Sequence, residues 1–217
     1  MNPTLLLDLD GTLVDSVPDL AAAVNRMLTT RALAPLTLGA VTSMVGDGLP
    51  ALVERALAAR GQRFDPGALE AVGADYAANL AVATRLFPDV VPSLAALAQA
   101  GWRLAVCTNK PQAAARSLLA ALGLGERFAA IGGGDSFPVR KPDPAHLLAT
   151  LAAAGGEPDC AVMVGDHAND IEAARRAGIK VVFAAWGYGP ASLGTSADAV
   201  AERFSALPAI VRRLVAA

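Results

Sequence analysis

No apolar run in this 217-residue chain approaches the roughly 18–20 residues that a membrane span requires. No charged-then-apolar leader precedes its first strand-like run either, so neither a membrane span nor a secretory leader is expected. Basic excess is also lacking. A net charge of −2 offers no positive field for nucleic acid or an anionic membrane, so neither is expected as a partner. Cysteine is scarce: Cys107 and Cys160 lie in apolar strand-like runs, where free buried thiols in a reducing cytoplasm are expected rather than a disulfide. Charged residues make up only 18% against 54% hydrophobic, which excludes disorder and leaves ample material for a core. Much of the apolar content is alanine, a strong helix former. There is no internal repeat or low-complexity tail.

Five short apolar runs read as parallel strands: the run opening at Leu5, then Arg103–Cys107, Phe128–Ile131, Ala161–Val164 and Val181–Ala184. Helical stretches alternate with them, roughly Val91–Ala100, Ala113–Leu122, Ala145–Ala154 and Asn169–Ala177. This alternation predicts an α/β fold, a Rossmann-like parallel sheet flanked by helices. Asp143-Pro144 reads as an N-cap with proline at the first helical position, and Gly178 closes a helix. Ser16-Val17-Pro18-Asp19 has capping-box spacing. Between Ser16 and Thr84 the alternation breaks, and the pattern is helical over Asp19–Thr30, Gly48–Ala59 and Ala68–Ala83. Residues 16–84 therefore read as a small all-helical cap domain inserted after the first strand. Residues 1–15 and 85–217 read as the core, and hinges are expected near Leu13–Ser16 and Thr84–Pro88.

The first strand ends in Asp8-Leu9-Asp10-Gly11. Ionised carboxylates at the tip of a buried strand are costly without a partner. In extended backbone, residues i and i+2 share a face, so Asp8 and Asp10 would project together. Two adjacent carboxylates with no sulfur or imidazole beside them suit a hard cation such as Mg²⁺. Thr108-Asn109 follows the second strand and Gly165-Asp166 the fourth, while Lys141 precedes the Asp143 cap. In a parallel sheet these strand ends converge on one edge.

The segments Asp8–Ser16, Thr108-Asn109-Lys110, Arg140–Pro144 and Val164–Ile171, in this order, resemble the four motifs of the haloacid dehalogenase-like hydrolase superfamily over Leu5 to about Gly189. That resemblance implies phosphoryl transfer with Asp8 as nucleophile and Asp10 as general acid and base. It implies Mg²⁺ held by Asp8, Asp10, Asp166 and Asp170, the last supporting the metal's water shell. Thr108, Asn109 and Lys141 would hold the phosphoryl oxygens. Asp10 argues against halide displacement. Phosphonate cleavage needs a lid lysine, and the only lysines are Lys110, Lys141 and Lys180, all outside residues 16–84.

Val45–Leu57 and Asp15–Val24 are similar to the corresponding segments of bacterial phosphoglycolate phosphatases. The similarity implies a small phosphorylated metabolite as substrate, first of all 2-phosphoglycolate, with specificity from Gly46, Asp47, Gly48 and Arg55. His167 stands where that group commonly has serine. Histidine there resembles phosphatases of N-acetylmuramic acid 6-phosphate, so a sugar phosphate stays open, as does pyrophosphate. Thr12 and His167 carry no fixed role at this point, and monomer and homodimer are both compatible with the resemblance. A receiver-like phospho-switch is the non-enzyme alternative; its phosphoacceptor would sit on a later strand, and it would have no helical insertion.

Overall fold

The computed structural model describes residues 3–216. In chain order the elements are β1 (Thr4–Leu7), β2 (Val14–Asp15), α1 (Val17–Thr30), α2 (Leu38–Thr42), α3 (Leu49–Ala58), α4 (Pro66–Ala78), β3 (Arg85–Leu86), α5 (Val90–Gln99), β4 (Arg103–Cys107), α6 (Gln112–Ala121), β5 (Ala130–Gly132), α7 (Pro144–Ala153), β6 (Ala161–Gly165), α8 (Ala168–Arg176), β7 (Lys180–Ala184), β8 (Ala199–Ala201) and α9 (Leu207–Ala216). The main sheet has six strands in the order β5-β4-β1-β6-β7-β8, every pairing parallel.

Strand alternation sorts the sheet's side chains into two layers. Leu5, Leu7, Val106 and Val164 pack on one face with α5, α6 and α9. Leu6, Ala105, Met163 and Phe183 pack on the other with α7 and α8. Both faces are covered, which is why the strands read as nearly unbroken apolar runs. The Asp143 side chain accepts from the Ala145 N–H at 2.9 Å, the expected start of α7.

Helices α1 to α4 form a separate apolar cluster around Val24, Leu28, Val53, Leu57 and Val72. The chain enters this helical layer through β2 and leaves through β3, which pair antiparallel, Val14 with Leu86 and Asp15 with Arg85. The two crossing points thus lie side by side.

Several expectations are corrected. Ser16 precedes α1 but its side chain makes no cap; its hydroxyl donates to Asp10 Oδ1 at 2.5 Å. Asp19, the would-be partner in the capping box, accepts instead from Ala83 N, Thr84 N and Thr84 Oγ1. Burial works against its ionisation, yet these donors hold its carboxyl below the usual range. The tertiary contact wins because it supplies more donors than a local cap can. Helix α4 stops at Ala78, short of the expected Ala83: the backbone leaves the helical region at Asn79, and residues 83–84 are bound to Asp19. Cys160 is half-buried at the end of a short 3-10 turn before β6, not inside a strand; both cysteines are free. The small β2–β3 ribbon, β8, α2 and α9 are additions to the expected elements.

Candidate active site

Three neighbouring strands, β4, β1 and β6, end at the same edge and deliver Thr108, Asp8 and Asp166 respectively. Adjacent parallel strands lie about 4.8 Å apart, so residues just past their ends are brought within contact range. Asp8 extends the ladder by one bond, its N–H donating to Val164 O at 2.9 Å. Beyond it the chain turns sharply at Gly11, which has φ +88° and passes against Asp166; a Cβ there would lie 2.4 Å from Asp166 Oδ2. Glycine is required for both reasons.

Asp8, Asp166 and Asp170 each present an oxygen within 4.8 Å of the others'. Burial pushes the Asp166 carboxyl up to about 7, with Asp8 and Asp170 adding to the rise. Burial likewise raises Asp8 to about 6, against the opposing pull of Lys141. A buried, all-oxygen cluster in which Asp8 and Asp166 resist ionisation lacks positive charge, and this donor set fits a hard divalent cation.

Lys141, 3% exposed, supplies part of that charge. Its Nζ donates to Asp8 Oδ1 (2.8 Å), Cys107 O (2.7 Å) and Asp170 Oδ1 (2.6 Å). Burial lowers its proton affinity, but Asp170 and Asp8 outweigh it and hold the ammonium well above its ordinary range. Asp166 is fixed at both oxygens, by Thr12 Oγ1 (2.8 Å) and by the Tyr188 N–H (2.8 Å). Thr12 is thus an orienting group for Asp166. Asp170 Oδ2 accepts from the His167 N–H at 3.0 Å, and His167 Nδ1 accepts from the Asn169 N–H at 3.3 Å, a reciprocal cap on α8. The His167 ring also packs against Gly46, where a Cβ would fall 2.4 Å from its Cδ2.

Above the sheet edge lies a cavity of about 360 Å³, bounded by Asp8, Asp10, Thr108, Asn109 and Lys110 from below and by Val45, Gly46, Gly48, Leu49 and Tyr76 from the helical layer. Asp8 and Asp10 both reach it, but only Asp8 joins the acidic cluster. The Asp10 carboxylate is held by Ser16 and by Lys110 Nζ, 3.1 Å from each oxygen. Lys110 also donates to Tyr76 OH at 2.8 Å, linking α4 to the sheet edge. Asn109 Nδ2 donates to Gly46 O (3.2 Å) and Lys141 O (3.0 Å), a second link. A third runs from Asn169 Nδ2 to Asp47 Oδ1 at 2.6 Å.

Of the residues expected to set specificity, Gly46 and Gly48 line the cavity and Asp47 and Arg55 do not. The Arg55 guanidinium pairs with the Asp47 carboxylate and donates to Met44 O at 2.8 Å, bracing the 44–47 loop. Sequence reasoning does not single out Lys110, Tyr76 or Ser16. A lysine placed directly after the Thr108-Asn109 pair, in a chain with three lysines, is the one signal that pointed to the first.

The sequence profile of the haloacid dehalogenase-like hydrolases matches residues 3–178. The chain belongs to this family. Among its relatives, a phosphoglycolate phosphatase of Cereibacter sphaeroides is 42% identical over 219 residues, covering 99% of this chain and 100% of that protein. One of Agrobacterium fabrum is 39% identical over 221 residues, covering 99% and 95%. The crystal structure of a predicted phosphoglycolate phosphatase from Haemophilus somnus superposes with a TM-score of 0.89 at 32% identity, covering 96% of this chain and 97% of that one. Membership of a hydrolase family sets aside the receiver-like switch. No helix among the described residues is long and apolar enough to cross a membrane.

Proposed function

We propose that this chain is a phosphomonoester hydrolase that converts 2-phosphoglycolate to glycolate and phosphate. The observation that carries the reading is Asp8, a carboxylate facing the cavity at the tip of the central strand while held by Lys141 within the acidic cluster. The name shared by relatives about 40% identical over nearly the whole chain supports the substrate.

In this reading an Asp8 oxygen attacks phosphorus and the phosphorus–ester-oxygen bond breaks, leaving an aspartyl phosphate. Asp10 gives its proton to the departing oxygen, then takes one from the water that attacks the aspartyl phosphate and releases inorganic phosphate and Asp8. Thr108, Asn109 and Lys141 hold phosphoryl oxygens, stabilising charge as it spreads in the transition state. Mg²⁺, when held by Asp8, the Asp10 backbone carbonyl and Asp166, supplies charge neutralisation for those oxygens. Asp170 has both oxygens engaged by Lys141 and the His167 N–H, which suits a supporting role in the metal's water shell. Residues 16–84 act as the cap over a core of residues 1–15 and 85–217, hinged at the β2–β3 ribbon, and the enzyme works in a reducing cytoplasm, where Cys107 and Cys160 stay free thiols.

The sugar-phosphate alternative rested on His167, which caps α8 and packs on Gly46 without lining the cavity. The test is a comparison of kcat/KM for 2-phosphoglycolate, N-acetylmuramic acid 6-phosphate and pyrophosphate with Mg²⁺. A preference for the first is expected; equal or better use of either other substrate overturns the assignment. Asp8→Asn is expected to abolish turnover, and wild-type rates in that variant overturn the chemistry.

A further inference from the structure

The cavity above Asp8 is walled by apolar groups, including Leu20, Leu49, Leu52 and Ala113, and among the described residues that line it Lys110 is the one cation. Arg55 braces the 44–47 loop, and the Lys141 ammonium sits at the phosphoryl end beside Asp8 and Asp170; neither residue lines the cavity. A substrate bearing a second anion beyond its phosphoryl group would therefore bury that anion among hydrocarbon unless Lys110 met it. An unpaired carboxylate in such surroundings is strongly disfavoured.

The placement of Lys110 matches the need. Its Nζ lies 3.1 Å from both oxygens of Asp10, the group that serves the ester oxygen in the proposed reaction. In 2-phosphoglycolate the carboxylate carbon is two bonds from that oxygen, within reach of the same ammonium. Tyr76, carried by α4, accepts from Lys110 at 2.8 Å, and its own hydroxyl hydrogen has no acceptor among the described residues. That hydrogen remains available to a ligand. The Lys110 Nζ also sits 4.5 Å from the Tyr76 ring centroid, which keeps the pair together.

We propose that Lys110 Nζ and the Tyr76 hydroxyl form the subsite for the substrate's carboxylate, one donor from the sheet edge and one from the helical layer. The inference rests on the phosphoglycolate reading and adds the residues that recognise the acid end. Because half of the subsite is carried by α4, carboxylate binding also ties the helical layer to the core.

The experiment compares kcat/KM for 2-phosphoglycolate and ethyl phosphate, in which a methyl group replaces the carboxylate, in the wild type, Lys110→Met and Tyr76→Phe. The wild type is expected to favour 2-phosphoglycolate. In Lys110→Met the ratio of the two kcat/KM values should fall by about 10- to 100-fold, the range that a charge-assisted contact carries. In Tyr76→Phe it should fall by about 3- to 10-fold. If both substrates lose activity in parallel and the ratio holds, Lys110 acts only through Asp10 and the subsite is overturned while the substrate reading stands. If the wild type has no preference, the substrate reading and the subsite both fail. Folding of each variant is checked by circular dichroism; where Lys110→Met does not fold, Lys110→Gln keeps two N–H donors without the charge and is read in the same way.

Discussion

Lys141→Met tests how much of the site's integrity depends on one buried cation. Methionine fills most of the space of the lysine stem, so little cavity forms and the loss is chiefly electrostatic. What disappears is a donor to Asp8 Oδ1, Asp170 Oδ1 and Cys107 O, all on buried residues. Removing one partner of a buried ion pair costs about 3–5 kcal/mol, because the remaining charges stay buried and unpaired. For a chain of this length each kcal/mol moves the melting temperature by about 2–4 °C, so a fall of about 6–20 °C is expected at pH 8 in EDTA. Asp8 is raised to about 6 and Asp166 to about 7 even with Lys141 in place. A carboxylate raised in the fold favours the folded state fully below its unfolded pKa, and that contribution is lost as pH rises through the folded pKa. At pH 5 Asp8 and Asp166 are largely protonated and the deficit shrinks. Thermal unfolding followed by circular dichroism at pH 5 and pH 8 reads this difference. In the same variant kcat with Mg²⁺ should drop by about 10²–10³, as for loss of one preorganised transition-state donor. A melting point within about 2 °C of wild type at pH 8 in EDTA would refute the electrostatic account.

Other expectations concern neighbouring groups. Mg²⁺ added to metal-free protein should raise the melting temperature more at pH 8 than at pH 5, since Asp8 and Asp166, raised to about 6 and about 7, are ionised mainly at the higher pH; an equal shift at both would disprove binding at this cluster. His167→Ser should keep the α8 cap, as serine is itself a strong N-cap, whereas His167→Ala should lose about 1 kcal/mol in urea unfolding. Equal stability of the two variants would remove the capping role. Gly46→Ala meets both a strained φ of +129° and the His167 ring, and a loss of at least about 1 kcal/mol is expected; wild-type stability would contradict the packing. His146 is buried, with Nε2 donating to Gly133 O at 2.9 Å, and burial pushes its pKa down to about 4. A histidine depressed in the fold contributes in full above its unfolded pKa of about 6.5, and the contribution is lost as pH falls toward 4. His146→Gln should therefore flatten the decline in stability between pH 6.5 and 4, and an unaltered slope would count against it.

Much of the site was legible because strand tips announce themselves: an apolar run ending in Asp8, Thr108 or Asp166 has only one place to go in a parallel sheet. The cap of α7 at Asp143 was legible for a similar reason, since its partner is two residues away. What failed were readings that assumed local partners. Ser16 and Asp19 have the spacing of a capping box, yet one turns to Asp10 and the other to residues 83–84. Arg55, expected to set specificity, is engaged with Asp47 and Met44 O. The partners of Lys110 became visible only in the structure, in its distances to Asp10 and Tyr76, contacts that span 100 and 34 positions in the chain.

The sequence by itself determined the alternation of strands and helices in the core and the acidic tips, because those follow from periodicity and from residue types that few other environments tolerate, and its four ordered motifs carried the resemblance to the family. The tertiary structure alone decided which donor meets which acceptor. A buried polar group takes the partner that satisfies it best, and for Lys110 that partner, Asp10, is a hundred residues away.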